Sequence, residues 1–470
     1  MEVMEMSSGL SEEARDKLEG FIVKAMAEAH VPGLSIALVK DGEVVYARGF
    51  GARNLERNIP ATPNTLYGVG SCTKSFTALA IMQLVEEGRL DLEDPVGKYV
   101  PLKLGMKEKP IRIHHLLTHS SGIPSLGVAV ILITRMTGRE EHWIPMSSLE
   151  DFLRHLNGAS EEVAAEPGER FFYFNSGYTL LGEVVERVSG MRYEEYVRER
   201  ILKPLRMNRS TFLKEEFEKD PDTMTAYWKE KDGSLTPTVH PFHKFIYAPG
   251  GLLSSVMELT NYLTMNINGG VFEGERLLEE SLLRGMQEIH IERGPGLFGR
   301  QGYGYGWAVT EDFLGHKLVS HGGSTGVSSA YLGFIPEEGV GVALAANTGS
   351  YGSPAIPQVA LALLLGREPE KELPILEIGR RLDLLTGVYE SYKGIRRISV
   401  VRKGPLLYLE SKERFGEMSA PLIPESERIE DYRFYIYSGV GVKTPVEFVV
   451  DSKGRVDLYI ERWRLHKVKA

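Results

Sequence analysis

Cysteine is almost absent from this 470-residue chain. Cys72 stands alone, so no intramolecular disulfide can form. Long apolar runs are missing too. The longest, 128–133 and 359–365, fall far short of the roughly 20 residues that span a bilayer. The first 18 residues carry Glu2, Glu5, Glu12, Glu13, Arg15 and Asp16 and contain no apolar stretch of signal-peptide length. Positive charge is in deficit, with 55 Lys and Arg against 64 Asp and Glu, a net charge of −9 and a pI near 5.8. That balance argues against a nucleic-acid-binding surface. Glutamine is scarce, which together with the single cysteine fits a thermophilic source. The expectation is a cytoplasmic protein whose partners include neither membrane nor nucleic acid.

What is present is an ordinary globular composition, 42% hydrophobic and 25% charged, which excludes disordered, collagen-like and coiled-coil chains. Single cores stop growing at about 250–300 residues, so this length calls for at least two domains. Residues 34–39 and 44–48 read as a hairpin around Asp41-Gly42, after a helix over 11–29 capped by Ser11. Further strands are expected at 318–320, 328–335 and 340–346, with helical patterns between the two groups at 71–87, 178–189 and 193–202. Strands at both ends with helices between them predict an α+β domain over residues 1–365, its sheet assembled from the two ends. Residues 366–374, charged and twice interrupted by proline, read as a linker. Short strands follow at 397–401, 406–409, 432–437, 446–450 and 456–460, predicting a small all-β barrel or sandwich over 376–470.

The chemistry begins at Ser71-Cys72-Thr73-Lys74. A Ser-x-x-Lys at a helix start places hydroxyl and amine on one face, one turn apart. A lysine there can activate the serine if burial lowers its pKa. The pattern occurs by chance in a chain of this length, and a capping serine with a solvated lysine would look the same. Tyr173-Phe174-Asn175, inside a turn-bounded aromatic stretch, could equally be packing. His321-Gly322-Gly323-Ser324-Thr325-Gly326, between two strands, could be a plain glycine-rich connection.

The three elements, in this order, resemble the class C β-lactamase and D-alanyl-D-alanine carboxypeptidase superfamily of penicillin-recognising serine enzymes. Residues 111–124, 248–252 and 304–307 fit that pattern as well. With its β-rich C-terminal part, the arrangement also looks like archaeal serine peptidases of the superfamily that carry a lipocalin-like barrel. The resemblance implies that Ser71 is the acylated nucleophile, that Lys74 takes its proton, and that Tyr173 is a second acid/base. It implies that Asn175 binds the substrate amide and orients Lys74, that His321 replaces a strand lysine, and that Gly323 lets substrate lie along the strand. The backbone N–H groups of Ser71 and Ser324 would hold the oxyanion. A histidine at 321 would make recognition of a substrate carboxylate pH-dependent. The function expected is a serine peptidase acting through an acyl-enzyme, including on peptides with D-residues, and needing no cofactor or metal. An esterase or β-lactamase on the same site is the alternative. The barrel is expected to restrict access or support homo-oligomerisation.

Two rival readings compete. Gly322-Gly323-Ser324-Thr325-Gly326 also matches Gly-x-Ser-x-Gly, a nucleophile elbow, which requires a helix to follow and His466 to serve as base. The pairs His115/His119 and His240/His243 could suggest a metal, yet no His-Glu-x-x-His occurs. The stretch 298–307 reads as either a substrate-covering loop or a packed connection.

Overall fold

The computed structural model describes residues 9–105, 109–139, 143–413, 416–437 and 441–468. The chain divides into two compact units, Met1–Arg367 and Glu368–Ala470. The first is built on a nine-stranded antiparallel sheet. In spatial order its strands are Ile291–Glu292, Gln301–Tyr303, Ala308–Phe313, His316–Ser324, Ser329–Ile335, Val340–Ala346, Gly33–Lys40, Glu43–Asn54 and Ile59–Pro60. The two ends of the domain meet where Gly33–Lys40 pairs with Val340–Ala346, with Ile36 opposite Leu344. Both strands are almost wholly buried because each face of the sheet is covered. Alternation sends Ala37, Ala343 and Ala345 toward the large helical core and helix Val256–Ile267. The other face receives helices Glu12–Ala29, capped by Ser11, and Ala355–Leu364.

Helix Thr73–Glu86 runs through that core and is buried from Thr73 to Leu84, with Asn175–Ser189 and Lys244–Gly250 against it. A buried helix cannot show a polar stripe, which is why its sequence reads apolar almost all round. The connection at 298–307 resolves by region. Tyr303, Tyr305 and Trp307 are buried packing, while 299–300 are exposed.

The second unit is a closed eight-stranded barrel, an α+β domain thus being followed by an all-β one. Its strands are Gly387–Glu390, Arg397–Lys403, Leu406–Glu413, Gly416–Pro424, Arg433–Tyr437, Lys443–Val450, Val456–Ile460 and Trp463–Val468, closed by pairing of Val388 with Val468. Three of these, the first, the fourth and the last, were not expected from the sequence. The stretch read as a linker is partly helical. Pro369 and Pro374 each open a helix, Pro369–Glu372 and Pro374–Leu385, since a first-turn proline lacks only an N–H that the helix does not use. Helix Pro374–Leu385 drops Leu382 and Leu385 into the barrel core, where Tyr389, Phe434 and Phe448 pack edge to face.

Candidate functional site

A tight 3₁₀ turn, Gly70–Cys72, leads into helix Thr73–Glu86, and Ser71 sits half-buried at its centre. Gly70 has φ +53°, and a Cβ there would come within 2.5 Å of the Ser324 nitrogen. A Cβ on Gly323 would lie 2.0 Å from the Val69 carbonyl oxygen and 2.8 Å from the Ser71 nitrogen. Only glycines allow the turn that carries Ser71 and the strand His316–Ser324 to approach this closely. That approach sets the backbone nitrogen of Ser324 against Gly70 and that of Ser71 against Gly323. Cys72 joins the same two elements: its thiol is buried, pushed up to about 12 by desolvation, and donates to the His321 carbonyl at 3.1 Å. Ser71 makes no capping bond, so the capping alternative is not what the serine does here.

Lys74 is fully buried. Its Nζ lies 3.0 Å from Ser71 Oγ, 2.7 Å from Asn175 Oδ1 and 2.7 Å from the Pro249 carbonyl oxygen. Pro249 is in the last turn of helix Lys244–Gly250, where carbonyls lack intrahelical partners. Among the described residues no carboxylate pairs with Lys74, so no negative charge favours its protonated form, and burial holds its pKa well below the usual lysine value. A neutral amine has two N–H donors and one lone pair. The Pro249 and Asn175 oxygens accept the two donors, which turns the lone pair toward the Ser71 hydroxyl.

Tyr173 lies just before helix Asn175–Ser189, its ring centroid 4.8 Å from Lys74 Nζ. Burial raises its pKa, and its hydrogen bond with Ser71 pulls the other way but less. The phenol therefore keeps its proton. His321 is buried on the same strand as Gly323 and Ser324. Its Nδ1 lies 2.6 Å from the Gly322 carbonyl oxygen and its Nε2 lies 2.8 Å from the Tyr303 hydroxyl. A carbonyl only accepts, so Nδ1 donates and Nε2 accepts from Tyr303. Burial lowers the pKa of His321 to about 3. The expected switch between charged and neutral histidine near neutral pH is therefore not available in this geometry.

A cavity of about 340 Å³ opens beside these groups, lined by Tyr173, Arg293, Tyr303, Ala308, Ser320, His321 and Gly322. Arg293 is exposed, lies over the Phe171 ring at 5.0 Å, and has no carboxylate partner among the described residues. Sequence reading missed both Arg293 and Tyr303. Tyr303 belongs to an aromatic-glycine stretch that was noticed; Arg293 carries no local signal.

The rival readings fail on geometry. After Ser324 the chain turns directly into strand Ser329–Ile335 with no helix, Ser324 Oγ donates to the Gly349 carbonyl, and His466 sits in the other unit beside Asp457. His115 Nδ1 and His243 Nδ1 accept local backbone N–H groups, and no cluster among the described residues could hold a metal ion.

Residues 18–366 match the β-lactamase family model. The chain belongs to the β-lactamase family. Its second unit, residues 369–466, matches the Pab87 octamerisation domain. The structure superposes on the octameric penicillin-binding protein homologue from Pyrococcus abyssi with a TM-score of 0.88 and 47% identity, covering 96% of this chain and 100% of that one. Protein flp of Staphylococcus aureus (strain MW2) is 29% identical over 345 residues, which are 73% of this chain. This chain spans about 64% of that relative's length. Penicillin-binding protein 4* of Bacillus subtilis (strain 168) is 24% identical over 456 residues, 91% of this chain and 92% of that protein. The family is one of serine hydrolases of the β-lactamase and penicillin-binding type. Within this β-lactamase-family chain no helix among the described residues is long and apolar enough to cross a membrane.

Proposed function

We propose that the protein is a serine peptidase that forms an acyl-enzyme on Ser71 and accepts peptides that include D-residues. The observation that carries this reading is the buried Lys74 amine, held by Asn175 and Pro249 with its lone pair on the Ser71 hydroxyl. Lys74 takes the hydroxyl proton as Ser71 Oγ attacks the amide carbon. The N–H groups of Ser71 and Ser324 hold the resulting oxyanion. As the C–N bond breaks, the amine nitrogen takes the proton of Tyr173, leaving a phenolate that the new Lys74 ammonium reprotonates. Water then hydrolyses the ester by the reverse relay. Asn175 and the strand at His321–Ser324 bind the peptide, with Gly323 leaving room for it. Arg293, not His321, meets a substrate carboxylate, since it lines the cavity with no carboxylate partner among the described residues.

The Ser71→Ala protein should lose turnover and covalent labelling by a fluorophosphonate or penicillin; labelling that survives would overturn the reading. Matched D- and L-peptides, p-nitrophenyl esters and nitrocefin then sort peptidase from esterase and β-lactamase.

The second part of the proposal is a homo-oligomer assembled through the barrel, supported by the octamerisation-domain match and the octameric Pyrococcus relative. Helix Pro374–Leu385 covers one barrel end, anchored through Arg402, Lys467 and the carbonyl of Arg428. Antiparallel order puts the loops after Glu390, Tyr437 and Ile460 at the opposite end. That end exposes Tyr392 (75%), Ile395 (73%), Tyr437 (58%) and Val442 (56%). Four large apolar side chains at one rim fit a contact with a second copy. Tyr392→Ser with Ile395→Ser should lower the mass measured by light scattering. An unchanged mass would count against this rim, and a monomeric wild type against assembly altogether.

A further inference from the structure

His119 belongs to the stretch Leu116–Gly122, and nothing in the proposed chemistry uses it. The residue is fully buried and has φ +59°, a left-handed backbone that disfavours side chains with a Cβ. Two hydrogen bonds account for the position. The His119 carbonyl accepts the Phe172 N–H at 2.8 Å, and its Nδ1 accepts the Phe174 N–H at 3.0 Å. The residue between those two donors is Tyr173. The imidazole also lies against the Tyr173 ring, centroids 4.3 Å apart, with Tyr178 and Tyr303 at 5.1 and 4.8 Å. Because a backbone N–H only donates, Nδ1 must be the acceptor, and Nε2 carries the proton. That Nε2 is buried and finds no hydrogen-bond partner among the described residues. A buried polar atom without a partner is unfavourable, so ordinary packing does not explain a histidine at this point.

We infer that His119 is a positioning residue for Tyr173: it grips the main chain on both sides of the tyrosine and backs its ring, fixing the phenol against Ser71 and the leaving amine. An imidazole does this because it combines a flat stacking face with an acceptor one bond from the ring carbon that Cβ carries. Phenylalanine keeps the face and loses the acceptor. Asparagine keeps an acceptor at the Nδ1 position and tolerates positive φ, but loses the face. This inference rests on the assignment of Tyr173 as the proton donor to the leaving group.

The experiment compares a peptide amide with a p-nitrophenyl ester of the same acyl group. An amine must be protonated to leave, whereas p-nitrophenolate departs without a proton, so a misplaced Tyr173 slows the first substrate and spares the second. His119→Phe should lower kcat on the amide roughly 10- to 100-fold, with KM and ester acylation nearly unchanged. His119→Asn should recover part of that loss. Equal losses on amide and ester, or no recovery with asparagine, would make His119 a packing residue and overturn the inference. Tyr173→Phe, run alongside, keeps the two claims apart. If it cleaves the amide normally, the proton-donor assignment fails. If it does not, but His119→Phe does, only the role of His119 fails.

Discussion

The two units bury different things. The barrel core is apolar: Leu382, Tyr389, Val400, Leu409, Phe434, Phe448 and Leu458 fill it, and its buried polar residues are Ser391, Ser411 and Thr444. Among its described residues the first unit buries an amine, Lys74, three imidazoles, His119, His240 and His321, and many hydroxyls. Burying such groups opposes folding unless each is hydrogen-bonded. Part of this polar burial, Lys74 with His119 and His321, lies around Ser71, and the proposed chemistry uses a neutral lysine and a protonated tyrosine there. One core is built for stability and the other gives some of it up for reactivity.

Removing the amine tests this contrast most severely. Lys74→Met should lower kcat/KM by about 10³-fold or more, within the range for loss of a general base. The melting temperature should hold or rise, because a buried amine is replaced by an apolar chain of similar length; calorimetry together with kinetics reads both. In the barrel the pattern should invert. Phe448→Ala should destabilise the second unit by about 3–5 kcal/mol through the cavity it leaves. Hydrolysis of a small substrate by the protein that remains folded should be unchanged.

Arg293→Gln should raise KM roughly tenfold for peptides with a free carboxylate and leave their amidated counterparts nearly unaffected. With His321 neutral above about pH 3, KM for the wild type should not vary between pH 5 and 8 through that histidine.

The remaining contrast is in stability against acid. Burial depresses the folded-state pKa of His240 and His321 to about 3 and moves His119 the same way. Between those values and the ordinary histidine value near 6.5, the unfolded chain binds more protons. Stability from these residues is therefore full above about pH 6.5 and is lost as pH falls toward 3. The barrel has one histidine, His466, exposed beside Asp457. The catalytic transition should move to lower temperature on acidification more than the barrel transition does.

Much of this was legible in the sequence, and the part that was not has a common cause. Ser71 and Lys74 are one helical turn apart, so their encounter is a local property. The hairpin at Asp41-Gly42 and the turn after Pro336 announce the strands that meet across the domain. The burial and ring orientation of His321, by contrast, depend on tertiary packing: its Nε2 meets Tyr303, which is 18 residues away on a strand that is not adjacent in the sheet. Arg293 reaches the cavity from a segment with no motif. The role of His119 needs a positive φ and two amides from a segment 55 residues downstream. Prolines at 369 and 374 were read as breakers because composition does not distinguish a helix start from a loop. Of the barrel strands that went unseen, Gly387–Glu390 is too short to show a period, and Gly416–Pro424 carries two prolines that argue against a strand.

The central claim is that a buried, neutral Lys74 makes Ser71 the nucleophile. Intact-mass analysis after exposure to a fluorophosphonate, with peptide mapping, tests it most directly. The wild type should carry one adduct, on Ser71, and Lys74→Met should acylate slowly or not at all at neutral pH. An adduct on another serine, or undiminished labelling of Ser71 without the lysine, would contradict the account.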